Sequence, residues 1–215
     1  MYKRQILPFL WGAGGDIPTV GDAATVGMLT FLRTLTAEDR SVPASVTTLS
    51  QSDVGNLFIA GKCAMMINGP WQVPATASRA RFRWNVAGWP YQTRPVSILG
   101  GETFGIGAGS HVTEAWDVIT WALQPQNLVP AVAMHGMYPG RRDAAADPHF
   151  TADPIQRAFA EAVAVARPRA YGPNYPRISD ELIRMVQGVL GGTATPEQAA
   201  AAAQAAIRPL LSPGT

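Results

Sequence analysis

Apolar residues at helical spacing alternate along this chain with short extended runs closed by glycine or proline, and that alternation places the fold in the α/β class. Ala24, Met28, Leu29, Phe31, Leu32 and Leu35 mark one face of a helix over Thr19–Leu35. Ser50 followed by Asp53 is a capping pair, and the helix it starts, Asp53–Ala60, stops at Gly61. Cys63–Asn68, Trp84–Trp89 and Val96–Leu99 read as extended segments, with Phe104–Ile106 beyond the Gly100-Gly101 pair. Ser110 and Thr113 are candidate caps for a helix over Glu114–Leu123, and a second helix runs to Met134. Met137–Pro148 reads as an irregular loop. Helices follow at Pro154–Ala166, Ser179–Leu190 and Thr195–Ile207, the last opened by Thr195 with Pro196 and Glu197 behind it. No repeat of fixed period is visible.

Composition supports a packed protein. Of the 215 residues 47% are hydrophobic and 15% charged, which excludes a disordered chain. The net charge is +2 and the arginines are scattered, with Arg79, Arg81 and Arg83 alternating as a solvated edge, so a nucleic-acid partner is not expected. The only cysteine, Cys63, permits no internal disulfide and reads as a buried, inert thiol. His111, His135 and His149 are too dispersed for a metal site, and no cofactor is expected. No apolar stretch reaches the ~20 residues that span a bilayer, and no secretory signal is visible. Residues 1–5, Met-Tyr-Lys-Arg-Gln, can be written GTG TAT AAG AGA CAG, the end of a common library adapter. They are expected to be an artefact in front of a gene cut off upstream of Ile6, so the missing signal carries little weight.

A specific resemblance rests on five stretches in order. Phe58-Ile-Ala-Gly-Lys-Cys-Ala-Met-Met-Ile-Asn-Gly-Pro-Trp71 resembles the "F-x-x-G-x-A-M-x-x-x-G-x-W" block of the family-one extracellular solute-binding proteins, the group of maltose-binding protein. Gly14-Gly15, Leu99–Ile106, Tyr138-Pro-Gly-Arg141 and Val189–Gln198 agree with further blocks of that family at compatible spacing. The resemblance covers nearly all of the chain after residue 5. It implies the C-terminal part of a periplasmic-binding-protein-like (type II) two-lobe fold. On that mapping 6–99 opens the C-terminal lobe, 100–153 is a partial N-terminal lobe after a hinge crossing, and 154–215 supplies C-lobe helices. The 100–153 piece would lack its parent sheet and leave its apolar helices partly exposed.

The resemblance further implies a receptor that closes two lobes on a carbohydrate, an oligosaccharide in the first instance, and delivers it to the permease subunits of an ABC importer. Such a receptor is periplasmic or extracytoplasmic, and it can be anchored as a lipoprotein through an N-terminus that this chain does not carry. The family analogue of Trp71 stacks on sugar, and an indole face suits the apolar C–H face of a sugar ring. Gly100 and Gly101 allow a close approach of backbone to ligand, and Glu102 beside them accepts from vicinal hydroxyls or closes a hinge ion pair. Arg141 offers a planar fork for hydroxyls or a phosphate, and Tyr138 a hydroxyl or a ring. Trp11, ahead of the glycine turn, either faces the cleft or packs in the core. Trp116 and Trp121 lie in helical patterns and are expected in the core, and Trp84 and Trp89 are expected to be structural.

Two other functions compete. A receptor for a glycerophosphodiester or another polyol phosphate would use Arg141 and Arg142. A carbohydrate-active enzyme would need two placed carboxylates from Asp16, Asp53, Glu102, Asp143 and Asp147, none of which lies in an acid/base motif. G-x-S-x-G and the phosphate-loop pattern are absent, so no enzymatic activity is expected.

Overall fold

The computed structural model describes residues 3–211, with side chains from Gln5 onward. The helices are α1 (Lys3–Gly12), α2 (Ala23–Arg33), α3 (Gln51–Ile59), α4 (Val73–Arg79), α5 (Val112–Ala122), α6 (Pro125–Met134), α7 (Arg142–Ala145), α8 (Pro148–Thr151), α9 (Pro154–Ala164), α10 (Tyr175–Leu190) and α11 (Pro196–Ile207). Two short strands, β1 (Ser97–Ile98) and β2 (Ala166–Arg167), pair in parallel, Ser97 opposite Ala166 and Ile98 opposite Arg167. The chain forms two compact units. The first holds residues up to Val54, Trp89–Leu99 and residues from Val165; the second holds Gly55–Gly88 and Gly100–Ala164. Residues 55–88 thus group with 100–164, whereas the sequence led to the expectation that they would join 6–54. Of the segment 1–5, Lys3–Gln5 lie within α1, and Met1 and Tyr2 fall outside the described residues.

The first unit is organised by α10. Ile178, Leu182, Met185, Val186 and Val189 are buried, a single stripe along the helix. That stripe belongs to a core shared with Ile6, Leu7, Leu10 and Trp11 of α1 and Met28, Leu29 and Leu32 of α2. On α11, Ala199, Ala200, Ala203 and Ile207 are buried, and three alanines there let the helix approach closely. The Thr195 hydroxyl accepts from the Gln198 N–H at 3.2 Å, and the Gln198 side chain accepts from the Thr195 N–H at 3.1 Å. This capping box has Gln198, not Glu197, as its partner.

Helix α1 ends by a Schellman motif. Gly14 adopts φ +98°, a left-handed conformation that glycine takes without strain. Its N–H donates to the Trp11 carbonyl at 3.1 Å, and the Gly15 N–H donates to the Leu10 carbonyl at 3.0 Å. A side chain on Gly15 would meet Leu10 at 2.7 Å. The Gly14-Gly15 pair is therefore a helix stop, and it delivers Asp16 to the surface of the core.

The second unit buries little. Phe58, Thr76, Ala144, Phe150 and Gln156 are its buried side chains, with Phe58 edge-on to Phe82 at 5.3 Å between ring centroids. Neither α5 nor α6 has a buried residue. Trp116 and Trp121, expected in the core, are 60% and 61% exposed, because no other layer of this unit covers the outer sides of α5. The helix starts at Val112 with no side-chain cap, so neither Ser110 nor Thr113 serves as one. Cys63–Asn68 and Trp84–Trp89 do not form strands. A strand needs a hydrogen-bonded neighbour, and among the described residues only β1 and β2 offer each other one. The 137–148 loop contains α7, and α9 ends at Ala164 so that Ala166 and Arg167 can pair with β1.

Candidate functional site

The Trp71 turn is built from several small constraints within the second unit. Asn68 accepts from the Gly69 N–H at 3.0 Å, and Pro70 starts a single 3₁₀ turn, Pro70–Gln72, that leads into α4. The indole of Trp71 folds back over Gly69, so closely that a side chain at 69 would overlap its ring. Gly136, at φ +65°, ends α6 and abuts the same turn: a Cβ there would lie 2.5 Å from the Pro70 carbonyl oxygen and 2.8 Å from the Pro74 ring. Trp71 is half-buried in this setting. The turn, and not a sheet, fixes the indole.

The remaining expected ligand residues are placed unevenly. Tyr138 follows Gly136 by two positions, so its loop comes to the Trp71 turn. Its hydroxyl, however, donates to the Gln156 backbone carbonyl, and its ring lies 5.0 Å from Phe150. Burial pushes the Tyr138 phenol upward. Tyr138 thus fastens its loop to the start of α9. Arg141 is committed to Asp143: its Nε donates to Oδ1 at 3.0 Å and its Nη2 to Oδ2 at 2.6 Å. That pairing holds the Asp143 carboxyl down at about 2. Gly100, Gly101 and Glu102 are exposed, and a Cβ on Gly101 would meet nothing within 4 Å. A shallow groove of about 380 Å³ runs beside α6 and α7, lined by Pro125, Val129, Asp143 and Asp147 among others, and none of the expected ligand residues borders it.

Trp11 belongs to the first unit and is wholly buried there. Its Nε1–H donates to Asp16 Oδ1 at 3.1 Å, and the Arg167 guanidinium carbon sits 4.6 Å above its ring. Of the two readings of Trp11, packing is the one this arrangement satisfies, since both its face and its N–H are already occupied. Cys63 is half-buried and its thiol is pushed up by burial. Among the described residues no group of three or more His, Cys, Asp or Glu could hold a metal ion, and no helix is long and apolar enough to cross a membrane.

The carboxylates are engaged in structure. Asp53 caps α3 through Ser50, which holds its pKa low. Asp16 accepts four hydrogen bonds and Asp143 two from Arg141. A glycosidase acid must keep its proton near neutral pH, and the pKa values of these three are all shifted the opposite way. The cluster around Asp16 has no signature in the sequence. Its partners Arg167 and Tyr171 lie 151 and 155 residues away.

The geometry is shared with known receptors. The maltose-bound MalE3 of T. maritima superposes with a TM-score of 0.89 at 24% identity, over 97% of this chain and 57% of that one. A solute-binding protein of an ABC transporter from Thermotoga lettingae TMO, bound with α-D-tagatose, matches at 0.87 and 26%, over 98% and 56%. The GacH receptor of Streptomyces glaucescens GLA.O, solved unliganded and with acarbose, matches at 0.84 and 24%, over 99% and 58%. The chain therefore spans somewhat more than half the length of these proteins, and it carries part of their periplasmic-binding-protein-like fold. Among curated protein sequences none matches. Residues 4–158, well over half of the chain, match the family described as bacterial extracellular solute-binding protein, and the chain belongs to that family.

Proposed function

We propose that this chain is the sugar-binding part of an extracytoplasmic receptor for an ABC importer, and that Trp71 supplies the stacking face for an oligosaccharide. The observation that carries the reading is the Trp71 turn. A half-buried indole is held in one orientation by Gly69 beneath it and by Gly136 against its proline. A rigid aromatic plate with two χ angles loses little entropy on meeting a ring with an apolar face. The family membership and the maltose, tagatose and acarbose bound by the similar receptors agree with it. Glu102 and the exposed Gly100-Gly101 backbone would then orient sugar hydroxyls. Closure of two lobes at that segment would present the loaded form to permease subunits.

A phosphate-bearing polyol is the second reading. It is weakened by Asp143, which already fills the Arg141 fork, so that a phosphate would have to rely on Arg142. Titration of the chain with maltotriose and with glycerophosphocholine, followed by the indole N–H resonances in NMR, separates the two. Maltotriose is expected to shift the Trp71 indole resonance, and in Trp71→Ala it is expected to leave the backbone amides of the 69–73 turn unshifted. A shift caused by glycerophosphocholine alone, and abolished in Arg142→Ala, would replace the sugar reading.

A further inference from the structure

The Asp16 carboxylate gathers donors from three stretches of the first unit. Its Oδ1 accepts from the Ile17 N–H at 2.8 Å, from the Trp11 indole N–H at 3.1 Å and from the Tyr171 hydroxyl. Its Oδ2 accepts from Arg167 Nη2 at 2.8 Å. The Trp11 N–H also lies 3.1 Å from the Tyr171 oxygen, so tryptophan, tyrosine and carboxylate form a closed ring of contacts. Among the described residues Arg167 has no other anion: its Nη1 is buried without a hydrogen-bond partner, and its guanidinium rests on the Trp11 face. The arginine is thus held by Asp16 and by Trp11, and Trp11 is immobile in the core.

Arg167 is the second residue of β2, and β2 in turn holds β1. The Ser97 N–H donates to the Val165 carbonyl at 3.2 Å, and the Leu99 N–H donates to the Arg167 carbonyl at 2.9 Å. These short segments lie at two of the four points where the chain passes between the units, between Leu99 and Gly100 and between Ala164 and Val165. Two strands of two residues cannot hold themselves together in water. Something outside the ladder must fix them: Val96 and Ile98 pack β1 against the core, and the Arg167–Asp16 ion pair ties β2 to it.

We infer that Asp16 is a positioning residue: through Arg167 and Tyr171 it clamps β2, and through β2 it steadies β1, so that two of the four crossings to the second unit start from a fixed base. At these two crossings bending is thereby displaced to the far side of Leu99 and Val165, at Gly100-Gly101 and the end of α9. The clamp itself rests on contacts within the first unit; that the bending serves closure on a ligand rests on the receptor reading above.

Amide hydrogen exchange by NMR on the unliganded chain tests the clamp. In Asp16→Asn the Ser97 and Leu99 amides are expected to lose at least about tenfold in protection while the α11 amides keep theirs. Tyr171→Phe, which removes one of the donors, is expected to lose less. A spectroscopic reading accompanies this. Burial, and with it the Asp16 carboxylate, raises the Tyr171 phenol above the usual tyrosine range, and in Asp16→Asn its near-ultraviolet titration is expected to fall part of the way back. Wild-type exchange at Ser97 and Leu99, in an Asp16→Asn chain whose α11 is still protected, would overturn the inference. Should that variant lose its fold, Arg167→Gln leaves the Asp16 turn intact and is expected to release the same two amides; retained protection there overturns it equally. No sugar enters the measurement, so a chain that binds none can still show the clamp, and a binding chain can still lack it.

Discussion

Helix α10 and helix α5 are opposite cases. The first carries more polar side chains yet buries Ile178, Leu182, Met185, Val186 and Val189 in a single stripe. The second, Val-Thr-Glu-Ala-Trp-Asp-Val-Ile-Thr-Trp-Ala, is the more apolar and has no buried residue. Val118 is 65% exposed, alongside Trp116 and Trp121. Burial follows from what lies opposite a helix, not from how greasy it is. In the first unit α10 meets α1, α2 and α11, whereas in the second unit α5 meets chiefly α6.

The sharpest way to break this contrast is to remove one tryptophan from each unit. Trp11→Ala deletes a wholly buried ring and is expected to cost ~3–5 kcal/mol. Trp121→Ala removes a mostly exposed one and is expected to stay within about 0.5 kcal/mol. Urea unfolding followed by helical circular dichroism reads both; equal losses would mean that the second unit has a core of its own around α5. Hydrogen exchange sharpens the same point without mutation. Amides in the middle of α10 and α11 are expected to be protected at least about a hundredfold more than those of α5 and α6. Uniform protection across both units would contradict the packing.

The device that ends one helix and begins the next carries a smaller effect. Thr195→Ala removes the hydroxyl that accepts from Gln198 and is expected to cost about 1 kcal/mol in the same urea experiment. Ser50→Ala at the start of α3 is the parallel case and is expected to cost about as much.

Several local devices were legible in the sequence, and long-range chemistry was not. The Thr195 cap, the Gly61 helix end and the Ser50–Asp53 pair depend on residues a few positions apart, and each forms. The likeness of the Phe58–Trp71 and Leu99–Ile106 blocks to solute-binding proteins led to the right family. The expected strands failed for a different reason. Apolar runs such as Cys63–Asn68 specify a strand only if a partner strand is available, and no periodicity reports that. Met65 in that run is 87% exposed. Trp116 and Trp121 failed in the same way, since a helical stripe says which side is apolar and not whether anything covers it. The Arg141 fork looked free in sequence because its partner Asp143, two residues on, reads equally well as a solvated charge. The Asp16 cluster had no local signal at all, because Arg167 and Tyr171 arrive from the far end of the chain.

The smallest effect separates two carboxylates that are both shifted downward. Asp16 is lowered by the Tyr171, Arg167, Ile17 and Trp11 donors, which outweigh the opposing cost of burial. Asp143, on the surface of the second unit, is held at about 2 chiefly by Arg141. A carboxyl whose folded pKa lies below its unfolded value of 3.8 stabilises the fold above that pH. The contribution fades as pH falls through 3.8 and is gone below the folded pKa. Both groups therefore work in the same acid window but through different media. Asp143 and Arg141 face solvent, where added salt screens their attraction, while Asp16 and Arg167 are about two-thirds covered. Carboxyl titration by NMR at low and at 1 M salt is expected to show Asp143 climbing toward the ordinary aspartate range and Asp16 moving less. Asp16→Asn is then expected to flatten the acid limb of the stability curve, and Asp143→Asn to leave it nearly unchanged. Equal salt sensitivity of the two would mean that the first unit opens around Asp16 well before it unfolds, and that the two units differ less in acid than their cores do at neutral pH.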